Sequence, residues 1–170
     1  MSKILDFYRQ EAPDTEGRMI SDIWQWDHDQ LEFCHDFIQW LFPLDVESNF
    51  NPDAPLLTKE DQEAFRNNDL LQSHMRKSFN LWIRFLGLAF DVSGDGNVAT
   101  KIIEDSHFEA RKSLWTHPNH NWLRITRVLK SLRLCGLENE ARMFFAALER
   151  LHDEGFVSEN SFGFWKRAIE

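Results

Sequence analysis

Glu32 and His35 form an E-x-x-H pair, the spacing in this chain that most directly suggests chemistry. On a helix, such a pair ligates di-iron centres when another E-x-x-H pair and two further carboxylates complete the site. Asp29 and Asp36 could add oxygen ligands, but a polar helix flank that meets solvent or a basic neighbour explains these residues equally well. We therefore expect no metal ion or other cofactor, and interpret Glu32, His35 and Gln39 as a polar strip.

A second polar group follows in the segment HNWLRITR, where Arg124 and Arg127 lie on one side of a predicted helix that begins near His120. Their guanidinium groups could hold an anion, or they could pair with Glu32 or Asp36 and tie two helices together. We favour the pairing. The predicted binding network, an inter-helix cleft or polar contact, consists of Glu32, His35, Gln39, His120, Arg124 and Arg127.

Two further patterns resemble metal sites only in part. His117 and His120 have a spacing that could hold zinc, but no third ligand is near in sequence, so we expect His120 to cap or pack the helix start. The stretch Asp91–Val98 follows the first eight positions of a calcium loop. Because Ile102 stands where the loop needs a bidentate Glu, we expect a turn.

Composition narrows the function classes. The 170 residues include 19 Lys and Arg against 28 Asp and Glu, so the net charge of −9 repels phosphate backbones and predicts no nucleic-acid partner. The chain has neither a GxSxG motif nor a phosphate-binding glycine loop, which argues against an enzyme.

Cys34 and Cys135 lie in apolar helical patterns and predict free thiols in a reducing, cytoplasmic setting. No apolar run is long enough to span a bilayer, which predicts a soluble protein.

Apolar residues recur every three or four positions almost throughout, which predicts an all-α, single-domain compact bundle of about six to eight helices over residues 1–170. One long helix is predicted from about Asp27 to Phe42, and another from about Asp69 to Ala89. Thr58 is the predicted N-cap of a helix. Gly136 is predicted to end the helix that begins near His120.

Aromatic side chains are abundant, with 15 Phe and 7 Trp. Apolar residues fill about half the circumference of the long predicted helix, and we expect them in the core. They are Leu31, Phe33, Cys34, Phe37, Ile38, Trp40, Leu41 and Phe42. Several tryptophans could line a groove for a peptide or a partner helix, although we expect most of them in the core and one or two at the surface. They are Trp24, Trp26, Trp115, Trp122 and Trp165.

Three segments carry a family resemblance: LEFCHDFIQWLFP at Leu31–Pro43, HNWLRITRVLKSL at His120–Leu132 and FLGLAF at Phe85–Phe90. They resemble the conserved domain of the opioid growth factor receptor family, over nearly the whole chain. In vertebrates this family is linked to binding of Met-enkephalin and to growth regulation from the nucleus, and the resemblance implies no catalytic residues. Because the chain ends at Glu170, we expect a short member without the C-terminal extension and repeats.

Two functions remain open. The first is a non-catalytic binding domain for a peptide or protein partner, with nuclear association expected only by analogy with vertebrate members. The alternative is an enzyme or metal-binding protein that uses a strip of Asp29, Glu32 and His35 opposite Arg124 and Arg127. Bound metal or a solvent-open polar cleft would favour the alternative.

Overall fold

The protein is built from helices and one β-hairpin, as seen in a computed structural model that describes residues 2–94, 96 and 98–170. The chain forms two compact units. The first unit comprises residues 2–79 and 134–137, and the second comprises residues 80–133 and 138–170. The all-α class is confirmed. The expected single domain stays a prediction.

The first unit is formed by short helices and the beginning of a long one. Its helices are α1 Lys3–Tyr8, α2 Ile20–Ile23, α3 His28–Phe33, α4 Ile38–Leu41, α5 Lys59–Asn67 and the first part of α6 Asp69–Phe85. The predicted Thr58 cap of α5 is confirmed, because its hydroxyl accepts a 3.1 Å hydrogen bond from the Asp61 amide. The Asp61 carboxylate completes the capping box by accepting from the Thr58 amide at 3.0 Å.

The long helix predicted from Asp27 to Phe42 is interrupted. Helix α3 ends at Phe33, Cys34 is extended, and α4 begins only at Ile38. Polar contacts of Asp36 occupy the gap, since its carboxylate pairs with Arg18 at 2.9 Å and its carbonyl accepts from the Asn51 amide group at 3.2 Å. The Asn51 contact gives the Asp36 carbonyl a partner outside a continuous helix, and the Arg18 contact holds the Asp36 side chain.

Tyr8 organises the core of the first unit. Its hydroxyl donates to the Leu41 carbonyl and lies 3.3 Å from Ser78 Oγ, and its buried position raises the pKa of the phenol. Trp24 Nε1 donates to the same serine oxygen at 2.9 Å. The Tyr8 carbonyl accepts from His74 Nδ1 at 2.6 Å. Helices α1, α2 and α6 are therefore connected through buried polar groups as well as apolar packing.

The second unit contains the hairpin and the longest C-terminal helices. Its elements are β1 Leu88–Asp91, β2 Lys101–Glu104, α7 Phe108–Arg111, α8 Ser113–Thr116, α9 His120–Leu134 up to Arg133, α10 Glu138–Asp153 and α11 Glu159–Ile169. The strands are antiparallel, with Leu88 opposite Glu104 and Asp91 opposite Lys101. Arg150 Nη2 donates to the Ile102 carbonyl at 2.5 Å and fastens the hairpin to α10.

Three buried indoles hold the second unit together through backbone carbonyls. Trp115 Nε1 donates to Leu86 at 3.0 Å, Trp122 Nε1 to Leu114 at 2.9 Å, and Trp165 Nε1 to Trp122 at 3.0 Å. The rings of Trp122 and Trp165 also meet edge to face, with centroids 5.8 Å apart. Each indole thus buries a large apolar surface without leaving its N–H unpaired.

The predicted number of helices is too low. Eleven helical segments lie within the described residues, in part because two short helices, α3 and α4, replace the one helix predicted from Asp27 to Phe42. The hairpin was missed, and α6 ends at Phe85 rather than near Ala89. Gly136 does follow the end of α9, with a φ of +84° that suits glycine.

Candidate functional site

The predicted polar strip is divided by the turn after α3. Glu32 lies on α3, His35 lies in the turn, and Gln39 lies on α4. His35 Nε2 donates to the backbone carbonyl of Glu32 at 3.2 Å. The ring is therefore hydrogen-bonded to the backbone of its E-x-x-H partner. Gln39 is buried, with only 4 % of its surface exposed.

The second predicted group lies on α9, within the second unit. Arg124 is 7 % exposed, donates from Nη1 to Asn121 Oδ1 at 3.2 Å, and places its guanidinium 5.9 Å from the Trp82 ring centroid. Arg127 is half-buried, and this burial lowers the pKa of its guanidinium to about 10. His120 is the exposed first residue of the helix.

The hydrogen bond that caps α9 comes from Asn119. Its Oδ1 accepts from the Asn121 amide at 2.9 Å, and its side-chain NH2 donates to the carbonyls of Leu114 and His117 at 2.9 and 2.8 Å. This side chain therefore supplies the helix cap, one of the two roles expected of His120, and the packing of His120 stays a prediction. The predicted role of the whole six-residue network in binding stays a prediction.

The first unit contains an ionic centre that the sequence interpretation missed. Arg18 pairs with Asp14 at 2.7 Å and with Asp36 at 2.9 Å, and its guanidinium lies 5.4 Å from the Trp26 ring centroid. Burial opposes the charge of Arg18, but hydrogen bonds to Asp36 and Asp14 outweigh it and raise the pKa of the guanidinium. The favoured pairing of Glu32 or Asp36 with Arg124 and Arg127 stays a prediction, and the Arg18 contact already uses one oxygen of Asp36.

The E-x-x-H spacing is not selective in this chain, since it occurs twice more, at Glu104/His107 and Glu149/His152. Glu104 lies on a strand, and His152 Nε2 is 2.8 Å from the Glu159 carboxylate. Across residues 2–94, 96 and 98–170, no group of three or more His, Cys, Asp or Glu side chains could hold a metal ion. The described residues therefore provide no cluster of metal ligands to support the alternative enzyme or metal function.

The calcium-like loop is only partly described, since Asp95 and Asn97 lie outside the described residues. The first position of the loop, Asp91, accepts from Ser93 Oγ at 2.6 Å and lies 3.5 Å from Lys101 Nζ. Its carboxylate is therefore engaged in local contacts at the end of the hairpin.

Aromatic exposure differs from the sequence expectation. Trp115, Trp122 and Trp165 are buried, as expected for most tryptophans, and the half-buried ones are Trp24 and Trp26. The most exposed aromatic rings are phenylalanines: Phe50 is 80 % exposed, Phe33 is 78 % exposed and Phe164 is 52 % exposed. Phe33 was wrongly assigned to the core, because the predicted continuous helix would have turned it inward.

Two further predictions concern the state of the cysteines and the presence of membrane-spanning segments. Cys34 and Cys135 are free thiols, with Cys135 buried and Cys34 half-buried at the end of α3. None of the helices in the described part of the chain combines the length and apolarity needed to cross a bilayer.

The fold and surface define a helical domain whose sequence matches a known conserved region. The family model of the opioid growth factor receptor conserved region matches residues 2–165. The chain belongs to this family, and the resemblance found in its sequence segments is confirmed.

Curated relatives agree with the family match. Opioid growth factor receptors of Rattus norvegicus and Homo sapiens are each 36 % identical over 139 residues, which is 79 % of this chain and 23 % and 20 % of the respective relatives. Opioid growth factor receptor-like protein 1 of Xenopus tropicalis is 33 % identical over 139 residues, 79 % of this chain and 26 % of that relative. The alignments thus span about a fifth to a quarter of these relatives' length. No solved structure matches the chain significantly.

Proposed function

We propose that this chain is a non-catalytic binding domain that recognises a peptide or protein partner. The observation that carries the proposal is the family match over residues 2–165, since the curated relatives are named as receptors. The geometry adds support, because exposed aromatic rings such as Phe33 and Phe50 are typical of surfaces that bind partners. The strip of Glu32, His35 and Gln39 is divided between α3, a turn and α4, so it supports a catalytic role less than a continuous strip would.

Captured partners would test this proposal. The folded chain and a heat-unfolded sample of it are used as baits in extracts of cells that express the protein. Molecules that each bait retains are cross-linked to it and identified by mass spectrometry. The expected result is a peptide or protein retained only by the folded bait, which binds purified chain saturably with a dissociation constant of about 10 µM or tighter. Equal retention by the two baits would contradict a folded binding domain.

A titration with Met-enkephalin addresses the finer part of the proposal. The family resemblance implies that ligand, and isothermal calorimetry of the chain with the pentapeptide would report a saturable heat if this domain is sufficient to bind it. Elemental analysis of the same sample examines the alternative function. About one equivalent of a tightly bound transition metal would oppose the non-catalytic proposal.

We also propose that the chain acts inside the cell, in the cytoplasm. Free Cys34 and Cys135 support this location, because reduced thiols persist in that compartment. Fractionation of cells with an antibody against the chain checks the location. Recovery of the chain mainly outside the cytosolic fraction would contradict it.

A further inference from the structure

The segment from Asp27 to Thr58 in the first unit exposes an unusual combination of side chains. Within it, four large apolar side chains are exposed: Phe33, Val46, Phe50 and Leu56. Phe33 and Phe50 are 78 % and 80 % exposed, more than any other large apolar residue of the described chain. Exposed rings of this size cost free energy in water, so these side chains are candidates for contact with a partner.

The same segment is strongly acidic. It contains seven Asp and Glu residues and no Lys or Arg. Asp29, Asp45, Glu47 and Asp53 are exposed, and none of these four forms an ion pair with any described residue. We call these four carboxylates, together with Phe33, Val46 and Phe50, the acidic aromatic surface.

A hydrogen bond joins the two stretches of chain that carry Phe33 and Phe50. Asn51 Nδ2 donates to the Asp36 carbonyl at 3.2 Å. Asn51 follows Phe50 directly in the chain, and Asp36 comes three residues after Phe33. Chain geometry therefore keeps the Cα atoms of Phe33 and Phe50 within about 25 Å of each other. A helical segment of about five turns is long enough to contact both rings.

We propose that the acidic aromatic surface binds a cationic amphipathic segment of a partner protein, one that carries Lys or Arg beside apolar side chains. Apolar side chains of the partner bury Phe33 and Phe50, while its cations pair with the exposed carboxylates and lie over the aromatic rings. This inference rests on the proposed binding function and specifies the chemistry of the partner. An anionic partner is repelled by the same carboxylates.

Phe164 provides a matched internal comparison. It is an exposed phenylalanine on α11 in the second unit, yet its neighbours are Lys166 and Arg167, and the Arg167 guanidinium lies 4.6 Å from its ring centroid. A cation of the chain itself, Arg167, therefore already contacts this ring. If exposed aromatic area alone attracted a cationic peptide, Phe164 would contribute as Phe33 and Phe50 do.

The experiment uses the full chain and three fluorescein-labelled helical peptides of about 18 residues, or five turns, measured by anisotropy. The first carries Lys and Leu on opposite faces, the second replaces Leu with Ser, and the third replaces Lys with Glu. We expect the Lys/Leu peptide to bind about tenfold more tightly than the Lys/Ser peptide, and the Glu/Leu peptide not to bind. The double variant Phe33→Ser/Phe50→Ser should weaken Lys/Leu binding about tenfold, and Phe164→Ser should change it less than about twofold.

Charge is tested separately with Asp45→Asn/Glu47→Gln/Asp53→Asn, which should weaken binding and flatten its dependence on salt. Circular dichroism establishes that each variant is folded. The inference is overturned by equal binding of the Lys/Leu and Lys/Ser peptides, by unchanged binding to the Phe33→Ser/Phe50→Ser variant, or by an equal loss in Phe164→Ser. If a captured partner binds normally to the Phe33→Ser/Phe50→Ser variant, the assigned surface is wrong while the proposed binding function stands.

Discussion

The segment Leu31–Pro43 and helix α9 use similar aromatic and aliphatic side chains in opposite ways. In the first, a turn at Cys34–Phe37 separates two short helices and leaves Phe33 exposed. In the second, Asn119 caps one end, glycine follows the other, and the helix runs unbroken from His120 to Leu134. A continuous helix forms where local signals define both ends, whereas long-range polar partners can divide an equally periodic segment.

The largest expected effect sharpens this comparison in the second unit. Trp165→Ala should destabilise the protein by about 3–5 kcal/mol, because it empties a buried indole site and removes the hydrogen bond from Trp165 to the Trp122 carbonyl. Urea unfolding followed by circular dichroism measures the loss. Phe164→Ala is the control on the same helix and should change stability by less than about 0.5 kcal/mol, since its ring is exposed. Similar losses in the two variants would refute the assigned packing.

The next effect concerns the turn in the first unit. Arg18→Met should destabilise by about 2–4 kcal/mol, because it leaves the fully buried Asp14 carboxylate without its cation and releases Asp36. Arg9→Met, at an exposed arginine, is the control. Unfolding midpoints measure both. A loss no greater than that of the control would show that the Arg18 contacts do not maintain the turn.

A glycine before the hairpin extends the comparison to backbone constraints. Gly87 has a φ of +81°, and an added Cβ would lie 2.9 Å from the Phe108 Cα. Gly155 has a φ of +85° with open space around it. Gly155→Ala should cost about 1 kcal/mol from backbone strain alone, and Gly87→Ala about 1–2 kcal/mol more from the steric clash. Equal losses in thermal unfolding would contradict the close approach of Phe108.

The smallest effect is the pH dependence of the hairpin. Hydrogen bonds from Ser93, followed by the nearby Lys101, lower the pKa of Asp91 below its ordinary value of 3.8. Because the pKa is lowered on folding, the resulting stabilisation is present above pH 3.8 and is lost as pH falls through the lower folded value. NMR titration of the Asp91 carboxyl measures the direction. An unchanged or raised pKa, or identical acid sensitivity in Asp91→Asn, would contradict the contact.

The sequence predicts features that depend on nearby residues. Thr58 and Asp61 are three positions apart, and glycine at position 136 follows an apolar helical pattern, so the end of each helix could be recognised locally. The hairpin was missed because its strands, Leu88–Asp91 and Lys101–Glu104, are only four residues each and show little alternation.

The acidic aromatic surface was only partly predictable. The lack of Lys and Arg between Asp27 and Thr58 is visible in the sequence, but the exposure of Phe33 is not, since it follows from the turn held by Arg18, Asp36 and Asn51. These partners are far apart in sequence. Helical periodicity alone therefore assigned Phe33 to the wrong environment.

Anisotropy titration of the Lys/Leu peptide against three proteins tests the central claim most directly. We expect saturable binding to the wild-type chain, about tenfold weaker binding to Phe33→Ser/Phe50→Ser, and nearly unchanged binding to Phe164→Ser. Indistinguishable affinities for all three folded proteins would contradict a partner-binding role for the acidic aromatic surface.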